Sequence, residues 1–354
     1  MDYYKRRIKV KEFLYLSSVD AFITNHRPTF MYLSGFTGST AILIITEKED
    51  YLIVDGRYIL RAHDEADKKI NIVELIDKSS MMKKALELLK NSNVKNVGIE
   101  KNNLKVGDYL LLSESFKVFP FNYLIESIRS VKDENELQKI EKALRIAEKV
   151  LSEVEKKLYD GVGKVSEIEI ANFIKSRVVE EGAQGVAFEP IVAFGKNTAF
   201  PHYSPNNVVL KEGNFVIIDM GAIVDYYHSD ITRSFCVGKN KEFERLYNVV
   251  LEVQQRSIEN VKAGLSPVEV YNIAVKTFEK YELQDKFVHG LGHGVGLEIH
   301  ELPSLSSGGF GFLKNNNVVT IEPGVYIPEI GGIRIEDMVV VNDDKPLVLT
   351  NYKK

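Results

Sequence analysis

Residues 214–233, NFVIIDMGAIVDYYHSDITR, leave the surrounding chain few choices. Phe215 to Ile218 form an apolar run of the kind that makes a buried strand. The run ends on Asp219, followed by Met220 and a turn-permissive Gly221; a second strand-like run, Ile231 to Val237, begins just after Asp230. Asp219 and Asp230 are eleven positions apart, an odd spacing that would put them on opposite faces of one continuous strand. A hairpin folding back between them brings both carboxylates together. Two carboxylates inside an apolar sheet repel and are poorly solvated, so the pair needs a cation or a shared proton.

The same grammar returns about a hundred residues later. Val318 to Ile321 is another strand-like run, all β-branched, ending on Glu322-Pro323-Gly324, and Ile333-Arg334-Ile335 leads into Glu336 and Asp337. One strand–acid–turn unit used twice predicts four carboxylates converging on a pseudo-symmetric centre. Between the halves lies His289-Gly-Leu-Gly-His293-Gly-Val-Gly-Leu-Glu-Ile-His300, where four glycines let backbone pass close to a neighbour. Four acids and a histidine make an oxygen-rich set suited to Mn²⁺, Co²⁺, Fe²⁺ or Zn²⁺. Four carboxylates can hold two such ions when two of them bridge, and a water held there loses a proton near neutral pH. His202, His289 and His300 are too many to be ligands alongside His293; some should position substrate or donate to a developing oxyanion. Strand alternation puts His228 on the same face as Asp230, although a histidine satisfied by a neighbour is the commoner case.

With 354 residues, two domains are expected, because single cores stop growing before this length. A net charge of -4, with basic residues spread along the chain, excludes a nucleic-acid footprint. The single cysteine, Cys236, excludes an intrachain disulfide and reads as a small buried hydrophobe. The N-terminus, MDYYKRRIKVKEFLYL, is basic without a long apolar segment, and no apolar run is long enough to span a bilayer, so a cytoplasmic location is expected.

Residues 3–18 read as an amphipathic helix with Ile8, Phe13, Leu14 and Leu16 on its apolar side. Ala21–Ile23 reads as a strand, Asn25–Pro28 as a loop, and Ala41–Ile45 and Tyr51–Val54 as strands. Helix and strand patterns then alternate over 58–67, 70–75, 79–91, 94–99, 107–113 and 117–119, which predicts an α/β domain over residues 1–129. His26 and His63 read as surface or capping groups, and Asp55-Gly-Arg-Tyr58 as a turn with Asp55 capping the next helix. A second domain, residues 130–354, opens on the capping box Asp133-x-x-Glu136 and a long helix with Leu137, Ile140, Leu144, Ala147, Leu151, Val154 and Leu158 at helical spacing. Further helices are predicted over 166–181, 241–261 and 266–282, with a strand, a turn and a Pro-His pair over 188–202.

Asp219-x-Gly with Ser229-Asp230-Ile-Thr-Arg233, His289-x-x-Gly-His293-Gly-x-Gly, Glu322-Pro-Gly and Arg334-x-Glu336-Asp337 together resemble the metallopeptidases of the pita-bread fold. Within that group the chain resembles the Xaa-Pro peptidases, aminopeptidase P and prolidase. Its YLSGFTGS and DGRY segments resemble that family's extra domain, so the resemblance spans essentially the whole chain; methionine aminopeptidases share the metal site but normally lack that domain. The implied fold is α+β: a pseudo-symmetric, curved antiparallel sheet covered by helices, preceded by a smaller creatinase-like α/β domain.

The resemblance implies that Asp219, Asp230, His293, Glu322 and Glu336 bind two divalent metals, with Asp230 and Glu336 bridging. Asp219 would complete one site, His293 and Glu322 the other, and Glu322 would also relay the proton. His202 and His300 would position substrate and stabilise the tetrahedral intermediate. His289 would line the pocket near the proline ring, and Arg334 and Tyr326 would hold the carboxylates. The expected reaction is metal-assisted hydrolysis of the bond preceding proline in small peptides with proline second, with Mn²⁺ or Co²⁺ first and Zn²⁺ or Fe²⁺ as alternatives. Phe188, Phe200 and Tyr203 are candidate pocket walls. The aminopeptidase is expected by analogy with bacterial relatives. A prolidase acting only on Xaa-Pro dipeptides is the alternative, and a non-catalytic peptide-binding relative the distant one. A homodimer is expected, and no membrane or nucleic-acid partner.

Overall fold

The computed structural model describes residues 1–75 and 81–354, which divide into two compact units, Met1–Arg129 and Ser130–Lys354. In the first unit, α1 (Tyr3–Leu16) leads to β1 (Ala21–Thr24), α2 (Arg27–Ser34), β2 (Ile42–Thr46), β3 (Asp50–Asp55) and α3 (Ile59–Glu65). Then follow β4 (Asn71–Leu75), α4 (Met81–Asn91), β5 (Asn96–Glu100), α5 (Val106–Ser113), β6 (Lys117–Phe121) and α6 (Leu124–Arg129). The first residues of the helix expected over 79–91 lie outside the described residues.

Among the described residues, the strands form one mixed sheet in the order β4-β3-β2-β1-β5-β6, with β1–β2 and β2–β3 antiparallel and the rest parallel. β1 and β2 are buried on both faces, as their near-continuous apolar sequences require. Three sequence expectations fail here, in whole or in part. Only Asn25 and His26 form the expected loop; Arg27 and Pro28 already belong to α2, with His26 as N-cap and Pro28 in the first turn, where a missing N–H costs nothing. α1 is not amphipathic as expected: Leu16 is 80% exposed, whereas Arg6 and Arg7 are buried. Arg7 Nε reaches Asp50 at 2.7 Å and Nη1 the Leu33 carbonyl at 2.8 Å, so its charge is paired and its stem packs as core. Asp55 also departs from expectation. Its carboxylate accepts from the Arg57 amide at 3.0 Å, closing a turn, while Tyr58 is the N-cap of α3.

The second unit opens with α7 (Glu134–Asp160), whose capping box forms both reciprocal bonds between Asp133 and Glu136, and α8 (Glu167–Glu180), capped likewise by Ser166 and Glu169. The α7 residues Ile140, Leu144, Ala147, Leu151, Val154 and Leu158 are fully buried. The strands β7 (Gly185–Val186), β8 (Ile191–Phe194), β9 (Phe215–Met220), β10 (Ala222–Val224), β11 (Tyr227–His228) and β12 (Ile231–Cys236) precede α9 (Lys241–Asn260) and α10 (Pro267–Glu279). The chain continues through β13 (Gly292–Gly294), β14 (Glu301–Leu305), β15 (Val318–Ile321), β16 (Gly324–Ile327), β17 (Gly331–Arg334), β18 (Asp337–Val340) and β19 (Leu347–Val348).

The repeated grammar of the sequence appears as repeated topology. β9 pairs antiparallel with β12, and between them the chain makes the hairpin β10–β11. β15 pairs antiparallel with β18, with the hairpin β16–β17 between them. In each half the chain leaves a strand pair, turns, and returns. Asp219 lies one residue from the end of β9 and Asp230 just before β12; Glu322 follows β15 and Glu336 precedes β18. β13 runs between β14 and β15, and a Cβ on Gly292 would stand 2.0 Å from the Thr320 carbonyl oxygen. Only glycine allows that approach, which carries His293 to the acids. α9 and α10 bury Leu246, Val250, Val253, Ala274 and Phe278 in a core with Val319, Ile321, Val325 and Ile333. No helix among the described residues is long and apolar enough to cross a membrane.

Candidate metal centre

The four departure points bring their acids to one place. One ligand atom each from Asp230, His293 and Glu336 lies within 4.8 Å of the others. His293 Nε2 stands 3.6 Å from Asp230 Oδ2 and 3.4 Å from Glu322 Oε1. Its other ring nitrogen, Nδ1, is 3.0 Å from the Gly294 carbonyl oxygen. A carbonyl only accepts, so Nδ1 carries the proton and Nε2 presents a lone pair to two carboxylates. Burial also pushes the His293 pKa down, so the neutral ring is favoured. Lone pairs facing lone pairs repel, and a cation between them removes the conflict.

The acids tell the same story. Glu336 is 1% exposed; its Oε2 accepts from Thr232 Oγ1 at 2.8 Å, and its Oε1 has no hydrogen-bond partner. Asp219 Oδ2 is paired with Arg334 Nη2 at 2.6 Å, while its Oδ1 is likewise buried and unpartnered. Burial, then the carboxylates of Glu336, Asp219 and Glu322, push Asp230 well above the carboxylate range. Burial, then Glu322 and Asp219, do the same to Glu336. Burial, with Asp219 adding to it and Arg334 opposing it, raises Glu322 to about 7. Without a cation the group cannot hold all its charges, which is the condition that divalent-ion binding reverses. Unpartnered carboxylate oxygens beside one imidazole lone pair fit a hard or borderline divalent ion.

Side chains behind the acids fix them. Arg334, 3% exposed, reaches Asp219, the Tyr326 hydroxyl at 2.7 Å, the Pro201 carbonyl at 3.3 Å and Thr232 Oγ1 at 3.2 Å. Tyr326 OH lies 2.9 Å from His289 Nε2, and His289 Nδ1 donates to the Gly290 carbonyl at 2.7 Å. Tyr326 therefore accepts from Arg334 and donates to His289. Burial, then the Arg334 charge, lower the His289 pKa to about 4, so this imidazole stays neutral. Burial raises the Tyr326 hydroxyl to about 12. Thr320 Oγ1 accepts from the His293 amide at 3.0 Å and donates to Glu322 Oε1 at 3.1 Å.

A cavity of about 550 Å³ opens onto this group, and Asp219, Asp230, His293, Glu322, Glu336, His202, His289, His300 and Arg334 all line it. The His300 ring lies 4.3 Å from that of His293. Phe188, Tyr203, Ile191 and Ile299 supply apolar wall. Phe200 does not line the cavity; it is 60% exposed and stacks on Tyr203 with ring centroids 6.3 Å apart. His228 also lies elsewhere, because β11 ends at His228 and alternation does not carry on to Asp230. Its amide and its ring Nδ1 both donate to the Gly296 carbonyl, at 2.9 and 3.1 Å. Sequence reasoning passed over Thr232, Thr320, Ser304 and Ser306. Thr232 had a usable signal, two positions from Asp230 on the same face; the others had none.

Residues 138–343 match the model of "Metallopeptidase family M24", and residues 6–131 that of "Creatinase/Prolidase N-terminal domain". The Xaa-Pro dipeptidase of Pyrococcus horikoshii is 34% identical, covering 100% of this chain and 99% of that protein. Among solved structures, the Xaa-Pro dipeptidase from Bacillus anthracis superposes with a TM-score of 0.94 at 30% identity, covering 99% of this chain and 98% of that one. The X-Pro aminopeptidase from Thermotoga maritima gives 0.88 at 31%, with 98% of each chain covered. Matched along nearly their whole length by proteins that share its strand–hairpin–strand halves, this chain belongs to metallopeptidase family M24, with the pita-bread fold and the hydrolase chemistry of that family.

Proposed function

We propose that this protein uses two divalent metal ions to hydrolyse the peptide bond preceding proline, releasing the N-terminal residue of small Xaa-Pro peptides. The observation that carries the reading is the convergence of Asp230, His293 and Glu336 within 4.8 Å around a bare imidazole lone pair. The dipeptidase and aminopeptidase activities named for its relatives support the choice of bond. Asp219, Asp230, His293, Glu322 and Glu336 would hold the ions between them. When bound, the ions supply water activation and Lewis acidity toward the scissile carbonyl.

The protein's own groups do the rest. Arg334 and Thr232 hold Asp219 and Glu336 in place, so the carboxylates do not rotate toward solvent. Glu322, oriented by the Thr320 hydroxyl, takes the proton that the attacking water gives up and passes it to the departing proline nitrogen, which without it leaves as a poor amide anion. His202 and His300 reach into the cavity and donate hydrogen bonds to the oxygen that gains charge. His289, held neutral between Tyr326 and Gly290, contributes a ring face without adding charge. The bond to proline offers no N–H for recognition, so selectivity falls to the apolar wall of Phe188, Ile191, Tyr203 and Ile299.

The test measures hydrolysis of proline-second peptides with Mn²⁺, with Co²⁺, and after chelation, for the wild type and Glu336→Ala. Cleavage confined to the metal-loaded wild type is expected. Full activity of Glu336→Ala, or unchanged activity after exhaustive chelation, would end the dinuclear reading.

A further inference from the structure

The segment that carries His202 is anchored by a residue outside the cavity. Glu167, the first residue of α8, is fully buried and is not part of the cavity wall. Its Oε1 accepts from the Phe194 amide at 2.8 Å and from Asn197 Nδ2 at 2.9 Å. Its Oε2 accepts from the Tyr203 hydroxyl at 3.0 Å and from the Asn206 amide at 3.1 Å. A carboxylate has about four lone-pair directions, and these donors fill them, as burial of such a group demands. All four belong to residues 194–206; two precede His202 and two follow it. Asn197 Nδ2 also donates to the Tyr203 hydroxyl oxygen at 2.8 Å, which leaves the hydroxyl hydrogen for Glu167.

His202 lines the cavity and is exposed, and its ring makes no hydrogen bond among the described residues. Its place is therefore set by the backbone on either side. On one side the Pro201 carbonyl accepts from Arg334 Nη1 at 3.3 Å, and Arg334 also holds Asp219 of the proposed centre. On the other, Tyr203 is held by Glu167. A reacting group displaced by about 1 Å can lose about a hundredfold in rate, so an anchor at this distance reaches the chemistry.

Resting on the peptidase reading, we propose that Glu167 is a positioning residue that pins residues 194–206, so that His202 is presented to the oxygen that gains charge. Each of its oxygens accepts one backbone N–H, and a backbone N–H cannot be turned round. In Glu167→Gln the amide NH₂ therefore meets the Phe194 or the Asn206 N–H, whichever way it lies. The test uses the full chain with Mn²⁺, and Ala-Pro and Ala-Pro-Ala as substrates, in a cycle of wild type, Glu167→Gln, His202→Ala and the double variant. Because His202 acts in the transition state, Glu167→Gln is expected to lower kcat about tenfold or more, with KM within about threefold. In the His202→Ala background the same change is expected to cost less than about twofold, since the group it positions is gone. Mn²⁺ affinity by calorimetry is expected within about twofold of wild type, because Glu167 touches none of the proposed ligands. Hydrogen exchange is expected to quicken at the Phe194 and Asn206 amides.

Wild-type kcat in Glu167→Gln, or an equal loss in both backgrounds, overturns the inference, because a residue that only stabilises the fold acts whether or not His202 is present. Should Glu167→Gln not fold, Tyr203→Phe, which removes one of the four donors and keeps the ring, takes its place in the cycle under the same criterion. Unchanged exchange at the two amides overturns the pinning by itself. No cleavage by the wild type overturns the peptidase reading and the catalytic half of this inference with it.

Discussion

Thr232 links two of the groups around the acids through its hydroxyl. Its hydroxyl donates to Glu336 and accepts from Arg334, so it sets the rotamer of one proposed metal-binding carboxylate and helps seat the guanidinium that holds Asp219. Valine has nearly the same shape and neither capability. Thr232→Val is therefore expected to weaken Mn²⁺ binding by about tenfold or more, as loss of such supporting bonds generally does. Calorimetric titration of the metal-free protein checks this; affinity within twofold of wild type would show that Glu336 is oriented without Thr232. Acids and histidines announce themselves in a sequence by their chemistry. A threonine does not, and only the period of two from Asp230 points to Thr232, whereas Thr320 and Ser304 are ordinary strand residues until the fold places them.

At the level of elements, the acid-bearing halves were legible because an apolar run, a terminal acid and a turn recur in the same order. His228 is satisfied by the Gly296 carbonyl, the commoner case for such a histidine; only its alternation with Asp230 fails, because β11 stops two residues short of Asp230. α2 was missed because Asn-His-Arg-Pro has the composition of a loop, and Pro28 in the first turn is compatible with either. That helix start now has a measurable role. Glu100, at the end of β5, is 4% exposed; it accepts from Thr24, from Thr29 Oγ1 at 2.6 Å and from Asn103 Nδ2 at 3.3 Å, with the N-cap His26 beside it. Burial raises its pKa, but hydrogen bonds with His26, Thr24 and Thr29 outweigh burial and hold it below the usual glutamate value. A folded pKa below the unfolded one, about 4.3, means a contribution fully present above that value and lost as pH falls through the folded pKa. Glu100→Gln should thus be less stable than wild type near pH 7, with the gap closing below about pH 4. Urea midpoints across that range decide it, and a gap that stays constant would rule out this carboxylate as the source.

For the molecule as a whole, ion binding and folding draw on the same residues. The proposed ligands come from β9, β13 and the ends of β12, β15 and β18, so an ion that binds only the native arrangement stabilises it. At about 100 times its Kd, such an ion adds about 2.7 kcal/mol. Chelation is expected to lower the midpoint of the thermal transition of the metal-binding unit, and Mn²⁺ to restore it. Identical melting curves with and without the ion would mean that the centre forms no part of the cooperative fold. The two-unit division followed from length and from the capping box at Asp133, but the burial of Arg7 did not, since a charged side chain reads as surface until its partners Asp50 and Asp67 are in place.

The placement of acids at each hairpin's departure has a topological consequence. A filled centre of the proposed kind would tie residue 219 to residue 336, closing a loop of more than a hundred residues in a chain whose lone Cys236 can form no intrachain disulfide. On the proposed reading the ion would act as a removable staple between the two halves. A protease given the metal-free chain would meet two halves held, without the ion, by side-chain bonds such as Arg334–Asp219 and Thr232–Glu336, and given the loaded chain the same halves closed into a ring.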